Sequence, residues 1–213
     1  KLALVLKKAT DVKLLATYET ERHPVGKTLL KTTDQFFFLL TAKGFFISRL
    51  RNWLLSFVIS FLFSKKNLEK CLFWFISQLN IHYAQNEFNY EIREKSHHAF
   101  KRGPSPGYRA PNAPANASNL FILLTYKPFN ILYFQTKKNQ TQLIGKLNAL
   151  IKNYKDWVKV HTFVLSPENK LLFKRYGVIS SAIYVIRPDG YVGFRMNADK
   201  DLWLEEYLKN FFK

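Results

Sequence analysis

The sequence predicts an α+β chain: an N-terminal helical segment over residues 1–100, then an α/β domain over residues 119–213. Three observations carry this. Apolar residues between 11 and 79 recur at steps of three and four, the spacing of one helix face. Residues 120–212 instead alternate short β-rich runs with two amphipathic stretches, which suits strands covered by helices. Between them, residues 101–118 hold six Gly or Pro in 18 positions, so neither helix nor strand should persist, and a linker is expected there.

The first residue is Lys1, and Leu2 to Leu6 form an apolar run of five. That is shorter than the roughly 7–15 residues of a secretion-signal core, and no small-residue cleavage site follows. The run reads as the middle of a buried helix whose beginning lies upstream, so a fragment is expected. Leu14, Leu15, Tyr18, Arg22, Val25, Leu29 and Leu30 then share one helix side. Pro24 should break this helix near His23 or start a new one. Asp34 to Leu40 is a further apolar run ended by Gly44. Asn52 to Phe63 is almost wholly apolar, but between Arg51 and Lys65 it is too short for a membrane span of about 20 residues. A buried or interface helix is expected there, and a short helix at 67–79 with Leu68, Leu72, Phe75, Ile76 and Leu79 on one side.

After the linker, Leu120–Leu124 and Asn130–Gln135 read as strands, and residues 139–154 as a helix with Leu143, Leu147, Leu150, Ile151 and Tyr154 on its stripe. Trp157–Leu165 reads as a strand. Ser166 and Pro167 then begin a helix, as cap and first residue. Ser181–Ile186 and Tyr191–Arg195 are strands joined by Arg187-Pro188-Asp189-Gly190. Proline fixes φ in that turn, and Asp-Gly tolerates positive φ. A closing helix at 199–212 buries Leu204, Tyr207, Leu208, Phe211 and Phe212. The order β-β-α-β-α-β-β-α around one sheet is a thioredoxin-like layout.

The 33 Lys and Arg against 15 Asp and Glu give a net charge of +18. Such charge attracts polyanions. Here, however, the basic residues are spread along the chain in blocks no longer than two, and Lys, Asn, Ile and Phe are all abundant. Nucleic acid is therefore not an expected partner. One Cys excludes a disulfide framework and a CxxC centre, and fits a reducing, cytoplasmic setting.

A search for chemistry finds little. No GxGxxG, GxxxxGK[ST] or GxSxG is present. His23, His82, His97, His98 and His161 include no i, i+4 pair, and the adjacent His97 and His98 point apart, so no metal is expected. Cys71 sits in an aromatic stretch and is expected to pack as a small hydrophobe. Glu91 and Glu94, and Glu205 and Glu206, have no neighbouring nucleophile and read as solvated charges. On this reading the chain has no catalytic, cofactor or metal residue of its own.

Several stretches together resemble one family. Lys1-Leu2-Ala3-Leu4-Val5-Leu6-Lys7, followed by Leu14-Leu15-Ala16-Thr17-Tyr18-Glu19-Thr20-Glu21-Arg22-His23-Pro24-Val25, resembles the "KLALVLKG…LLxSYexERrPV" segment of FAD-dependent, phenol hydroxylase-like aromatic monooxygenases. Ile76-Ser77-Gln78-Leu79-Asn80-Ile81-His82-Tyr83 is similar to their "SqLgIrY", and Gly107-Tyr108-Arg109-Ala110-Pro111-Asn112 to their "GDRAPD". Ile186-Arg187-Pro188-Asp189-Gly190-Tyr191-Val192-Gly193-Phe194-Arg195 is similar to their "lRPDGYVAWR" hairpin. The order agrees along the whole chain. It departs at Tyr108 and Asn112, which replace acidic residues, and at His23, which replaces Arg.

The resemblance implies the C-terminal portion of an enzyme that uses FAD and NAD(P)H to hydroxylate phenolic rings. The flavin supplies that chemistry, and the protein positions it. The family's flavin- and dinucleotide-binding motifs lie upstream of Lys1, so the chain alone is expected to be inactive and colourless. Its expected partners are the N-terminal flavin domain and, as a further possibility, a second copy in a homodimer. The choice of NADH or NADPH is open. The family's C-terminal thioredoxin-like domain generally lacks the redox pair, and Gln135-Thr136-Lys137-Lys138 carries no Cys here. Structural roles are expected for Tyr18, Glu21 and Arg22 on one helix face, Pro24, Arg109 and Pro111 at the domain junction, and Asp189 and Gly190 in the turn. The alternative is a redox-inactive thioredoxin- or peroxiredoxin-like interaction module.

Overall fold

The computed structural model describes residues 1–41, 44–64, 70, 73–86, 88–92, 100–125, 128–136, 141–198 and 201–212. In chain order the elements are helices α1 (Leu2–Leu6), α2 (Lys13–Thr41) and α3 (Phe45–Ser64), then strands β1 (Tyr90–Glu91), β2 (Pro114–Ala115) and β3 (Ser118–Asn119). The short helix α4 (Leu120–Leu123), β4 (Phe129–Gln135), α5 (Thr141–Lys152) and β5 (Val158–Val164) follow, then α6 (Lys170–Arg175), β6 (Ala182–Ile186), β7 (Val192–Asn197) and α7 (Asp201–Phe211). The chain forms two compact units: Lys1–Leu15 with His82–Lys213, and Ala16–Ile81.

The first unit is built on a mixed five-stranded sheet of order β1-β7-β6-β4-β5. β4 and β5 run parallel, Phe129 opposite Val158 and Gln135 opposite Val164, and α5 makes the crossover that parallel neighbours require. β6 lies antiparallel to both β4 and β7. A bulge at Val185/Ile186 shifts the β6–β7 register. β4 and β6 are buried along their whole length, because both faces of the sheet are covered. Period-two alternation divides their side chains. Ile131, Tyr133, Ile183, Val185, Phe194 and Met196 join Leu147 of α5 and Leu204, Tyr207 and Leu208 of α7 in one core. Leu132, Phe134, Tyr184, Ile186 and Val192 join Leu172 and Phe173 of α6 and Leu120 of α4 in the other.

Several expectations need correction. Residues 101–118 are not a linker between domains. They lie within the sheet unit, where Ala110, Ala113 and Ala115 are core residues. Glycine and proline limit ladders there to short pairs such as β2 with β3, but small residues still pack closely. Residues 1–15 and the described residues 82–86, 88–92 and 100 also belong to this unit rather than to a helical domain. Leu120–Leu123 is a helix rather than a strand, because the Phe121 N–H is taken by the Asn119 and Asn112 side chains at 3.3 and 3.2 Å. Ser166 accepts the Asn169 N–H at 3.3 Å, and the helix itself starts at Lys170. α1 is not a buried helix: Leu4 is its buried residue, and Leu2 and Leu6 are exposed.

The second unit contains most of α2 and all of α3. α2 runs unbroken past Pro24, although proline removes one ladder bond. The Pro24 carbonyl accepts the Thr28 hydroxyl at 2.9 Å. Ile47, Leu50, Leu54, Phe57 and Phe61 recur along α3 at steps of three and four and are exposed, as is Trp53. Trp53, Phe57 and Phe61 stack in series, with centroids 6.3 and 6.4 Å apart. Residues 73–76 are helical, and Phe75 and Ile76 are exposed rather than on a buried side. No helix among the described residues is long and apolar enough to cross a membrane.

Candidate functional site

The polar chemistry of the first unit gathers at the hairpin between β6 and β7. The turn closes through the Arg187 N–H to the Tyr191 carbonyl at 2.8 Å and the Gly190 N–H to the Arg187 carbonyl at 2.9 Å. Gly190 has φ +80°, which an L side chain rarely adopts. The Asp189 carboxylate accepts from the Arg187 guanidinium at 2.6 Å and from the Tyr191 N–H at 3.3 Å. Asp189 is exposed, whereas Arg187 is buried. Arg187 reaches further, donating to Asn89 Oδ1 at 2.8 Å and lying 5.8 Å from the centre of the Tyr83 ring.

Arg195 ends the same hairpin and is 3% exposed, against 4% for Glu91. It donates to Glu91 Oε2 at 2.9 Å, to the carbonyls of Gly103 and Pro104 at 3.1 and 2.8 Å, and to the Ser105 hydroxyl at 3.3 Å. Its guanidinium also lies over the Phe100 ring at 4.8 Å. A planar fork with five donors suits such divergent acceptors. A charge buried this deeply is tolerable only with such partners. Tyr184 and Tyr176 stand beside this cluster, and burial pushes both hydroxyls above their ordinary range. The Tyr184 hydroxyl donates to the Tyr176 carbonyl at 2.6 Å.

Residues 107–110 run beside the hairpin. The Gly107 N–H donates to the Val192 carbonyl at 2.7 Å, the Val192 N–H to Tyr108 at 2.8 Å, and the Ala110 N–H to Gly190 at 2.9 Å. Arg109 bridges to Tyr191 and covers its ring at 5.7 Å. His82 stacks on Tyr108, centroids 4.7 Å apart and 3° from parallel. Asn112 accepts the Phe121 N–H, as a carboxylate there would, and its carbonyl accepts from Arg175. Pro111 is half-buried beside it.

The residues expected to matter are thus spread over both units. Arg109, Pro111, Asp189 and Gly190 lie at or near the hairpin. Tyr18, Glu21, Arg22 and Pro24 lie on α2. Tyr18 and Arg22 are exposed and Glu21 is buried, so these three do not share one environment. Cys71, Glu94, His97 and His98 lie outside the described residues, as do Lys137 and Lys138. Glu91 is no solvated charge but the partner of Arg195. Glu205 pairs with Lys209 at 2.7 Å on the surface of α7. Sequence reasoning missed Arg187, Arg195 and Asn89. The two arginines had been legible only as letters of the hairpin motif. Among the described residues, no group of three or more His, Cys, Asp or Glu could hold a metal ion.

The arrangement fastens; it does not activate. Among the described residues no nucleophile–base pair appears in the cluster, and its two guanidinium charges are spent on backbone carbonyls, the Asp189 and Glu91 carboxylates and neutral side-chain acceptors.

No protein-family model matches the chain, and no curated protein matches it. Solved structures do. The chain is similar to the rebeccamycin biosynthetic enzyme RebC with reduced flavin, at TM-score 0.62 and 20% identity, covering 98% of this chain and 38% of that one. It is similar to the flavin-dependent monooxygenase PieE in complex with FAD and substrate, at TM-score 0.64 and 16% identity, covering 98% and 42%. A third likeness is to aklavinone-11 hydroxylase in complex with FAD and aklavinone, at 0.59 and 19%, covering 98% and 37%. At these identities the likeness shows the fold: the chain has the fold of a portion of flavin-dependent monooxygenases. It spans about two fifths of the length of the chains it matches.

Proposed function

We propose that this chain is the C-terminal, supporting portion of a FAD-dependent, NAD(P)H-using monooxygenase that hydroxylates phenolic or other aromatic substrates. One observation carries the reading. Four sequence stretches in family order fall on a chain whose full length takes the fold of part of such enzymes. FAD, when bound by the parent, supplies the oxygen chemistry. The residues of this chain pack and fasten.

The sheet unit is read as thioredoxin-like. In support, β4-α5-β5 is a parallel crossover, β6 and β7 form an antiparallel hairpin, and α7 returns to the face of α5. Where a redox protein of this kind would carry thiols, Gln135-Thr136-Lys137-Lys138 holds no Cys, and Ser181, where such a fold keeps a proline, has its hydroxyl oxygen 3.0 Å from that of Thr136. Hydroxyls cannot do thiolate chemistry, which favours a redox-inactive domain. The exposed apolar residues of α2 and α3 then suit a surface covered by the flavin domain, since large apolar patches mark interaction sites.

The test is expression of the encoded protein together with the sequence preceding Lys1. It should purify yellow, with flavin absorbance, and oxidise NAD(P)H faster when a phenol is added. A colourless protein, or a preceding frame without a glycine-rich strand–loop–helix, would refute the assignment.

A further inference from the structure

Two separate stretches meet on the β7 side of the sheet. Residues 82–92 bring β1 alongside β7, pairing Tyr90 with Phe194 and Glu91 with Arg195. Residues 100–109 return along the same hairpin through Gly107 and Tyr108. The stretches also bond to each other: the Tyr83 N–H donates to the Gly107 carbonyl at 2.9 Å. Gly107 has φ +86°, and a Cβ there would collide with the Tyr83 backbone carbonyl, so the two lie at closest approach. The Tyr83 and Tyr191 rings are 4.4 Å apart, which adds contact with the turn.

The Arg195 side chain hydrogen-bonds to both. One nitrogen of its guanidinium takes the carbonyls of Gly103 and Pro104, and the other takes Glu91 and Ser105. Arg187 holds the first stretch alone, through Asn89. The ladders compare unequally. β1 contributes two paired residues, against seven between β4 and β5. The second stretch is irregular, with Gly103, Pro104, Pro106 and Gly107 in sequence. Few ladder bonds and an irregular backbone are the marks of a segment that opens before the core.

We infer that residues 82–86, 88–92 and 100–109 form one strap, latched to the sheet by Arg195, which opens as a single unit before β4 and β6 do. The strap also begins at one of the two chain links to the helical unit, since His82 follows Ile81 directly; the other link is Leu15 to Ala16. Arg195 is a positioning residue in this device. It couples the two stretches because each supplies acceptors to the same guanidinium: the first gives the Glu91 carboxylate and the second gives the other three, so neither can leave without stripping a buried charge of partners.

Native-state hydrogen exchange on the full chain, along a series of low urea concentrations, tests this. Peptides from 82–92 and 100–109 should share one opening free energy and one urea dependence, both below those of β4 and β6. Arg195→Leu should raise exchange in both stretches about tenfold or more, the direction a lost buried pair requires, with β4 and β6 little changed. Arg195→Lys, which keeps the charge, should give a smaller rise in both together. The urea series on the unaltered chain needs no variant, so a misfolded Arg195→Leu would leave the test intact. Unrelated rates in the two stretches, or strap exchange that moves only with the whole sheet, would overturn the inference.

Discussion

The two units spend similar side chains in opposite ways. In the sheet unit, Phe134 is fully buried among Phe163, Phe173, Tyr176 and Tyr184. In the helical unit, Phe57 is stacked between Trp53 and Phe61 yet 62% exposed. The first unit has two faces of a sheet on which to bury aromatics. The second presents long helices whose apolar stripes are exposed among the described residues. Apolar content alone therefore does not say where stability resides; closed packing does. The sheet unit should behave as the stable body of this chain. The helical unit should gain its stability from whatever covers α2 and α3.

The comparison breaks most sharply at its two phenylalanines. Phe134→Ala should cost about 3–5 kcal/mol by leaving a cavity among packed rings, whereas Phe57→Ala should change stability by less than about 0.5 kcal/mol. Urea unfolding of both variants measures the contrast. Equal losses would show that the helical unit is as well packed as the sheet.

Next is Gly193. A Cβ here would run into the Tyr207 hydroxyl and press on Arg187. Gly193→Ala should cost about 2 kcal/mol, typical of overpacking. Tyr207→Phe, which removes that oxygen, should recover a good part of it in the double variant, read as a thermal midpoint. Losses that simply add would mean the two positions do not touch.

A smaller effect runs the other way. The β2–β3 hairpin turns on Asn116 and Ala117, at φ +47° and +60°. Such two-residue turns prefer Asn-Gly, because alanine is strained there. Asn116 is held by a reciprocal pair with Asn169, at 2.9 Å in each direction. Ala117→Gly should stabilise the chain by about 1 kcal/mol. A loss on calorimetry would contradict the turn.

The smallest effect is on pH. Burial first, and then the charge of Lys159, lower the His161 pKa below its ordinary 6.5. The unfolded chain then binds the proton more readily, so stability is full above about pH 6.5 and declines as pH falls through the folded value. His161→Gln should flatten urea midpoints between pH 7.5 and 5.5. An unchanged slope would assign the pH dependence elsewhere.

The sheet was legible because its signals are local. Phe129–Gln135, Val158–Val164 and the Arg187–Gly190 turn carry strand and turn chemistry within a few residues. The errors came where distant residues decide. Pro24 marks a break by itself, yet α2 continues. The Gly- and Pro-rich stretch looks like a spacer until Ala110, Ala113 and Ala115 are seen in the core. Leu120–Leu123 reads as a strand, and caps from Asn112 and Asn119 make it a helix. Arg195 is legible only as a letter of the hairpin motif, because its acceptors lie 90 to 104 residues away.

On the proposed reading this chain supports a flavin enzyme and holds no flavin itself. Titrating the purified chain with FAD, and following retained absorbance after desalting, tests it most directly. No retained flavin is predicted, while the protein extended upstream of Lys1 should hold about one FAD per chain. Stoichiometric flavin on this chain alone would contradict the claim.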